Sequence, residues 1–292
     1  MAETKWAGTT FGNAWMHKNL IAALRYFDVR IVYAFTAVFV VPVCLILNPS
    51  RGIIYRYFRQ RHHLSRVKAA WETYVNHCMF GQVVIDKFAM YAGRKFKTTV
   101  IGYDNYTRLE NQERGFIQLS SHVGNYEIAG YTLVAKNKPI NALVFGGEKV
   151  TVMAERNKIL TKDNIHIIPL KPDMSHIFLI NNALADNEAI SMPGDRIAGS
   201  QKSIEVTFLG ANASLPLGPY QIATSRLLDV IAINVMKTSL TAYTIFVTPL
   251  KYDKSADRKS RMTELANAYS AELERIIKLY PTQWYNFYEF WE

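Results

Sequence analysis

Residues 115–127 read GFIQLSSHVGNYE, an apolar run followed within a few residues by a histidine, a glycine and a glutamate. The apolar run Phe116–Ser121 is typical of a short buried strand, and a turn with His122 and Gly124 follows it. Glu127 then opens a run that favours a helix over residues 126–136. A histidine just past a strand end, with a carboxylate nearby, is an arrangement that general-base chemistry uses.

The predicted pair of His122 and Glu127 needs a particular backbone. Residues five apart point away from each other in a regular helix, so the histidine must lie in the turn and the glutamate in the first helical turn. Gly124 permits the bend, and Asn125 is placed to cap the helix. We expect Glu127 to accept a hydrogen bond from one imidazole nitrogen, which leaves the other free to take a proton. The alternative is that His122 packs at a strand end while Glu127 favours the helix N-terminus.

A second motif is the stretch 191–196, SMPGDR, where a strand end runs into a Pro-Gly turn. Arg196 is suited to hold a phosphate or carboxylate in a bidentate contact, and we group Asp195 with it as substrate-binding. The alternative is a surface turn whose two charges pair with each other.

A third motif is the stretch 215–223, LPLGPYQIA, where Pro216 and Gly218 open a helix. Small residues there let the backbone approach a ligand or a neighbouring element closely. A plain helix start is the alternative.

The chain of 292 residues is about half hydrophobic, which predicts a folded core of substantial size. Strands and helices alternate after residue 98, so we predict an α/β fold with a mixed sheet flanked by helices. Residues 1–93 form a helical N-terminal region and residues 94–292 a single α/β domain in this interpretation. The predicted strands are Thr98–Tyr103, Phe116–Ser121, Asn141–Phe145, Ile165–Pro169, Ala189–Met192, Ile204–Phe208, Val230–Met236 and Tyr243–Leu250. The predicted helices of the domain are 126–136, 149–161, 173–186, 217–227 and a long one from about Ala256.

The N-terminal region has the composition of a membrane-associating segment. The run Ile31–Leu47 carries no charge, and its length is at the lower limit for a membrane span. A buried core helix is the alternative for this run. Cations and aromatic residues then alternate over Arg51–Lys68, a mixture suited to an anionic membrane surface or an acidic partner. A solvated basic face explains the same run without a partner.

Composition and motifs argue against several function classes. The net charge of +10 attracts anions, but we find no recognisable nucleic-acid-binding motif and predict no nucleic-acid partner. The histidines and the two cysteines form no metal-ligand spacing, so no metal is expected. The two cysteines also give no disulfide framework, which indicates a reducing compartment. Ser120 and Ser121 lack the G-x-S-x-G surroundings of a serine hydrolase.

Taken in order, these motifs resemble the lysophospholipid acyltransferase superfamily, which carries an H-x-x-x-x-D/E signature. The closer resemblance is to the bacterial lipid A lauroyl and myristoyl acyltransferase branch. That branch has a His-x-Gly-Asn-Trp-Glu-like form of the first motif, seen here at residues 122–127 with Tyr126 in place of tryptophan. The further matching blocks are Gly194-Asp195-Arg196, 208–218 and Pro281-Thr282-Gln283-Trp284-Tyr285.

The resemblance implies a glycerol-3-phosphate acyltransferase-like fold and an acyltransferase activity. The donor would be a fatty acyl thioester of acyl carrier protein or coenzyme A, and the acceptor a hydroxyl or amine of a membrane lipid. His122, oriented by Glu127, would be the base, without a cofactor or a covalent enzyme intermediate. The N–H groups near Gly124 and Asn125 would stabilise the oxyanion. The family's location implies the cytoplasmic face of a bacterial inner membrane.

Two departures from the family pattern leave alternatives open. The block before Gly194 usually supplies a substrate-binding arginine, and Lys149, Arg156 and Lys158 are the candidates here. The tail after Tyr285 is acidic and aromatic, whereas relatives often end basic, so the acceptor is left open. The alternative function is a non-catalytic membrane-surface binding protein with a degenerate acyltransferase fold.

Overall fold

A computed structural model describes residues 14–48, 50–133, 136–145, 164–170, 173–197 and 202–291 of the chain. The predicted helix 149–161 and the candidates Lys149, Arg156 and Lys158 lie outside these residues. The α-helices are α1 (Ala14–Tyr26), α2 (Val29–Phe35), α3 (Val41–Leu47), α4 (Arg51–Gln60), α5 (Arg66–Tyr91), α6 (Tyr103–Asn111), α7 (Glu127–Thr132), α8 (Ser175–Ala185), α9 (Leu217–Ser225) and α10 (Arg258–Leu279). The strands are β1 (Lys97–Ile101), β2 (Phe116–Gly124), β3 (Ile140–Phe145), β4 (Ile165–Leu170), β5 (Ala189–Pro193), β6 (Ser203–Phe208), β7 (Ala211–Pro216), β8 (Asp229–Ser239) and β9 (Ala242–Leu250).

The centre of the fold is a seven-stranded mixed sheet in the order β1-β9-β8-β2-β5-β3-β4. Strands β8, β2, β5, β3 and β4 are mutually parallel, while β9 runs antiparallel to β8 and pairs in parallel with β1. The carboxyl ends of the five parallel strands therefore lie at one end of the sheet, which we call the site end. Strands β6 and β7 form a separate antiparallel hairpin.

Helices cover both faces of this sheet. On one face α8, α9 and α10 pack with α4 and the C-terminal residues over the inward side chains of β2 and β5, such as Ile117 and Ile190. On the other face α6 and α7 cover Phe116, Ile231 and Ile245. Burial on both faces explains the nearly continuous apolar sequences of the central strands. The predicted α/β fold with a mixed sheet is confirmed.

The N-terminal helices form a layer against α5. Leu24, Val29 and Tyr33 are buried against Ile85 and Phe88 of α5. From Val29 to Leu47 the chain is one continuous apolar helical stretch, long enough to cross a membrane, in which α2 and α3 are joined by a π-helical segment, Thr36–Val40. Only 17% of its most apolar window is buried, so it is not the core helix that we gave as the alternative.

A buried polar cluster fastens this layer to the sheet. Lys237 of β8 and Asp86 of α5 form an ion pair, and the hydroxyl groups of Tyr33 and Tyr243 both donate to Asp86. The Lys237 ammonium also donates to the Tyr33 hydroxyl at 3.1 Å. Burial raises the pKa of Asp86 and lowers that of Lys237, because both charges have left water.

The basic stretch after residue 51 is only partly available to partners. Ile54, Tyr57 and Phe58 of α4 are buried in the main core. Arg56 pairs with Glu289, and the Arg61 guanidinium lies 4.4 Å from the centre of the Trp291 ring. Part of the predicted binding surface therefore has an internal structural role, and the acidic aromatic tail is what it contacts.

Candidate active site

His122 lies near the site end of β2, inside the strand and not in the turn that we expected after it. Ser120 pairs with Ile233 and Gly124 with Val235, so residues 121–123 oppose Asn234 alone on β8. Such a bulge changes the direction of side chains and is frequent beside active sites. Here the His122 side chain remains 26% exposed within an otherwise buried strand.

The partner of the His122 imidazole is Asp195. Strand β5 lies parallel to β2, and Gly194 continues the pairing with a hydrogen bond from its N–H to the Ser120 carbonyl at 2.9 Å. The next residue, Asp195, accepts a hydrogen bond from the His122 backbone N–H at 2.7 Å and lies 2.9 Å from Nδ1 of its ring. With Nδ1 donating to the carboxylate, Nε2 presents a lone pair to an incoming proton.

The Asp195 carboxylate is only 2% exposed. Burial acts to raise its pKa, but the charge of His122, the hydrogen bonds from His122 and the charge of Arg196 outweigh this and hold the pKa below its ordinary value. Asp195 is therefore ionised at neutral pH and acts as an acceptor for both donors of His122.

Two tyrosines hold the turn that carries Asp195. The Tyr220 hydroxyl of α9 donates to the Gly194 carbonyl, and the Tyr269 hydroxyl of α10 donates to the Ser120 carbonyl, both at 2.8 Å. A Cβ on Gly194 would lie 2.8 Å from the Tyr269 ring, so a larger residue does not fit there. The glycine of the Gly-Asp-Arg motif is thus explained by the packing of these rings.

Glu127 occupies a different position from the one we predicted. It begins α7, as expected, but its carboxylate lies 3.1 Å from Lys87 Nζ and accepts a hydrogen bond from Tyr91 at 3.2 Å, both on α5. Between the two described side chains of His122 and Glu127 the structure contains no hydrogen bond. The predicted pairing is therefore corrected: β2 continues to Gly124, and Asp195 from the neighbouring strand meets Nδ1 instead.

Gly124 and Asn125 have clear structural roles. Gly124 has a φ of 61°, and a Cβ there would lie 1.9 Å from the Val235 carbonyl oxygen. Asn125 does not cap α7, since Tyr126 holds that position without a side-chain cap. Its backbone N–H donates to the Val235 carbonyl at 2.8 Å, and its buried side chain lies 3.5 Å from the Tyr243 hydroxyl. This engaged N–H is not available to an oxyanion, which corrects that part of the expectation.

The remaining predicted residues lie around this centre. Arg196 donates to the Tyr285 carbonyl at 2.8 Å. Pro216 ends β7 and precedes α9, the helix whose Tyr220 reaches Gly194. Among the described residues, no atom lies within 4 Å of the position that a Cβ would take on Gly218, so Gly218 makes no close approach to another described element. Contact of Gly218 with a ligand stays a prediction.

The C-terminal motif completes the strand edge beside His122. The Gln283 side chain accepts from the Lys237 N–H and donates to the Lys237 carbonyl, each at 2.8 Å. Trp284 then bridges to Val123, and the Tyr285 N–H donates to the His122 carbonyl at 3.4 Å. The Pro-x-Gln-aromatic-aromatic motif therefore supports the backbone of His122, a role that its sequence did not indicate.

Metal ligands do not converge in the part of the chain that the structure describes: it contains no group of three or more His, Cys, Asp or Glu side chains placed to hold an ion. The expectation that no metal is required stays a prediction. The chemistry that these residues offer is proton transfer at Nε2 of His122, at the end of the sheet that also carries the apolar N-terminal layer.

The sequence matches the bacterial lipid A biosynthesis acyltransferase family over residues 62–292. The chain belongs to that family. It is therefore an acyltransferase, and the family implies an acyl donor and a lipid acceptor as substrates. Membership of a lipid-modifying family and the apolar N-terminal helix both point to membrane association.

Two further comparisons add little detail. No curated protein matches this chain significantly in sequence. Among solved structures the chain is similar to the 1-acyl-sn-glycerophosphate (LPA) acyltransferase PlsC from Thermotoga maritima, with 13% identity, 93% of this chain and 100% of that chain covered, and a TM-score of 0.39. This likeness is distant, and the family assignment rests on the sequence match.

Proposed function

We propose that this protein transfers a fatty acyl chain from a thioester of acyl carrier protein or coenzyme A to a hydroxyl or amine of a membrane lipid. The observation that carries the proposal is the contact between His122 and Asp195. A buried, ionised carboxylate bound to Nδ1 orients the imidazole and leaves Nε2 as the base. The reaction takes place at the cytoplasmic face of a bacterial inner membrane, where thioester donors and lipid acceptors meet.

The proposed reaction needs one base and no covalent enzyme intermediate. The acceptor oxygen or nitrogen attacks the thioester carbonyl carbon while His122 Nε2 takes its proton. The tetrahedral oxyanion then collapses, the bond from carbon to sulfur breaks, and the leaving thiolate takes the proton back from Nε2. Asp195 keeps its negative charge throughout and stabilises the imidazolium formed between the two steps.

Glu127 remains a candidate site residue in this proposal, with a role other than orienting His122. Its carboxylate is held by Lys87 and Tyr91 close to the turn that follows the histidine. Gly124, Arg196, Pro216 and Gly218 remain proposed parts of the substrate-binding region. Asp195, which we predicted as substrate-binding, has instead the role of orienting the base in this proposal.

The test is transfer of a labelled acyl chain from acyl carrier protein and from coenzyme A, in parallel, to total membrane lipid. We expect His122→Ala to lower the rate by about 10²–10⁴-fold, because it removes the base. Asp195→Asn should lower kcat strongly with little change in KM, because the wrong imidazole tautomer is favoured. His166→Ala, at an exposed histidine in β4, is the matched control and should retain activity.

The variants also separate the two carboxylates. Glu127→Gln with near wild-type kcat would exclude Glu127 from the chemical step, whereas a loss equal to that of Asp195→Asn would give it a part in catalysis. Equal labelling of lipid by wild type and His122→Ala would exclude His122 as the base, whereas no labelling by wild type above a protein-free control would overturn the proposal and favour the non-catalytic alternative. Mass spectrometry of the labelled product identifies the acceptor.

A further inference from the structure

Helix α8 begins at the site end of the sheet. It follows the carboxyl end of β4 and leads into the amino end of β5. These two strands are parallel and are separated in the sheet by β3. The helix therefore runs from the site end towards the opposite end. Its first residues lie at the same end as His122 and Asp195, each of which is placed at the carboxyl end of a parallel strand.

The first turns of α8 expose large apolar side chains. We call this surface the α8 tip; it consists of Met174, Ile177, Phe178 and Leu179, which are 52%, 39%, 75% and 47% exposed. Residues 174–185 include no Asp, Glu, Lys or Arg. A contiguous exposed apolar patch on a soluble surface marks an interaction site more often than chance.

The exposed side of α8 changes character along the helix axis. Phe178 and Asn182 lie one turn apart on the same face, since residues four apart are neighbours on a helix surface. The exposed residues of the first turns are apolar, and those that follow, Asn181 and Asn182, are amides. The polarity therefore changes from one end of the helix to the other, as expected when one end enters a membrane. A helix that lies in the plane of the membrane would instead carry an apolar stripe along its whole length.

The apolar N-terminal stretch lies at the same end of the sheet. The Tyr33 hydroxyl of α2 donates to the Leu240 carbonyl at 3.3 Å, in the turn between β8 and β9. That turn follows the carboxyl end of β8, which is parallel to β2. The exposed side chain of Phe35, two residues after Tyr33, therefore belongs to the same end of the molecule as the α8 tip.

We propose that the α8 tip inserts into the lipid bilayer as a second membrane contact, separate from the N-terminal stretch. The presence of two exposed apolar surfaces at one end of the sheet, and the net charge of +10, favour a bilayer with anionic headgroups over a soluble protein partner. With contacts at both the α2–α3 stretch and α8, the site end of the sheet faces the membrane, and His122 opens towards the interface. Insertion of the α8 tip does not depend on the proposed function. Only the orientation of His122 towards the interface rests on the proposed lipid acceptor.

The test places an environment-sensitive fluorophore on α8 in the full-length chain. Cys44 and Cys78 are first replaced by serine, and then Phe178→Cys or Asn182→Cys provides one labelling site in each protein. The labelled proteins are reconstituted in vesicles of phosphatidylethanolamine and phosphatidylglycerol. We expect the label at position 178 to shift to the blue and to be quenched several-fold by spin-labelled acyl chains, and the label at position 182 to be quenched by aqueous iodide.

Two outcomes would overturn the proposal. One is a label at position 178 that is as accessible to iodide as the label at position 182. The other is a label at position 178 that is shielded from iodide but not quenched by spin-labelled lipid, which would mean that a protein, including a second copy of this chain, covers the α8 tip.

A kinetic measurement separates this proposal from the proposed function. The fluorescence experiment repeated with His122→Ala must give the same result, because insertion does not need catalysis. With active protein, Phe178→Glu should raise the apparent KM for vesicle lipid several-fold more than Asn182→Glu does, and leave the rate with detergent-dispersed lipid unchanged. Loss of lipid quenching with acyl transfer intact would reject the second contact alone, whereas quenching without any transfer would reject the function alone.

Discussion

At the scale of single residues, the geometry around His122 depends on a double contact. Asp195 binds both the backbone N–H and the ring Nδ1 of the same residue, which fixes the imidazole relative to the strand that carries it. Because the imidazole is already held in one orientation, the entropy cost of positioning it for proton transfer is lower. The contact also depends on the bulge in β2, because the register shift lies where His122 leaves the regular strand.

Gly124 is the residue whose substitution should distort this bulge most. Gly124→Ala combines a left-handed backbone with a Cβ lying 1.9 Å from the Val235 oxygen, whereas Gly210 has a φ of 76° but open space around its Cβ position. We expect Gly210→Ala to lower the free energy of unfolding by about 1–2 kcal/mol, and Gly124→Ala by about 3 kcal/mol or more. Urea denaturation of the two variants in detergent measures the difference. Equal losses would show that the Val235 backbone moves aside at little cost.

At the scale of elements, the buried pair of Asp86 and Lys237 connects three layers of structure. Helix α5 supplies the acid, β8 the base, and the hydroxyls come from α2 and β9. Since burial shifts both pKa values towards the neutral forms, the desolvation of the two charges is not fully offset by their attraction. We infer that the ion pair of Asp86 and Lys237 contributes to the specific packing of these elements more than to the free energy of unfolding. Tyr243 extends this hydrogen-bonded cluster to Asn125, beside the candidate site.

A double-mutant cycle tests this interpretation of the pair. Asp86→Asn keeps an acceptor for the two tyrosine hydroxyls but leaves Lys237 without its counter-charge, and we expect it to destabilise the fold by about 3–5 kcal/mol. Adding Lys237→Met removes the remaining buried charge and should restore most of that loss. The measurement is again the free energy of unfolding. The single variant Lys237→Met completes the cycle, and a loss in the double variant equal to the sum of the two single losses would show that the charges are not coupled.

At the scale of the whole molecule, the apolar stretch Val29–Leu47 and α4 have different roles. Most of the former is exposed, whereas α4 contributes Ile54, Tyr57 and Phe58 to the main core. Removal of residues 1–68 would therefore damage the fold together with any membrane contact. Single exposed positions are the better probes.

Phe39, which is 62% exposed, is such a position, and Ile101, which is 53% exposed on the edge strand β1 and outside the apolar stretch, is its control. An aspartate in the middle of a membrane-embedded helix costs about 3 kcal/mol, so Phe39→Asp should weaken vesicle binding by roughly 100-fold. Ile101→Asp should leave binding unchanged. Flotation with vesicles of anionic lipid measures both. Equal binding by the Phe39 variant and the wild type would show that this stretch is not the main membrane contact.

The sequence predicted the helices and strands of the fold better than the tertiary contacts between them. Every predicted strand has a counterpart, because long apolar runs between turns are a strong local signal. Helix α6 and strand β7 were missed: the former is mainly polar, and the latter, Ala211–Pro216, consists largely of small and polar residues typical of turns. The predicted first strand, Thr98–Tyr103, extends two residues into what is a turn and the start of α6.

In the candidate site, too, the residues were predicted but the contact between them was not. His122 and Asp195 were each identified, but Glu127 was chosen as the partner because it is nearer in sequence, and the true partner is 73 residues away. A usable signal existed, since both residues follow apolar runs in the sequence, and the carboxyl ends of neighbouring parallel strands lie at the same end of a sheet. The strand order that makes β2 and β5 neighbours is a tertiary property, and so is the role of residues 281–285.

The hydrogen bonds that join residues 283–285 to β8 and to His122 have a consequence for biosynthesis. Translation reaches Leu47 long before it reaches Tyr285: at the usual elongation rate of roughly 5–20 residues per second, the interval is on the order of ten seconds or longer. During that interval the apolar stretch has left the ribosome while the strand edge beside His122 still lacks its last partner. A nascent chain therefore has time to reach a bilayer before the backbone of His122 gains its C-terminal hydrogen bonds.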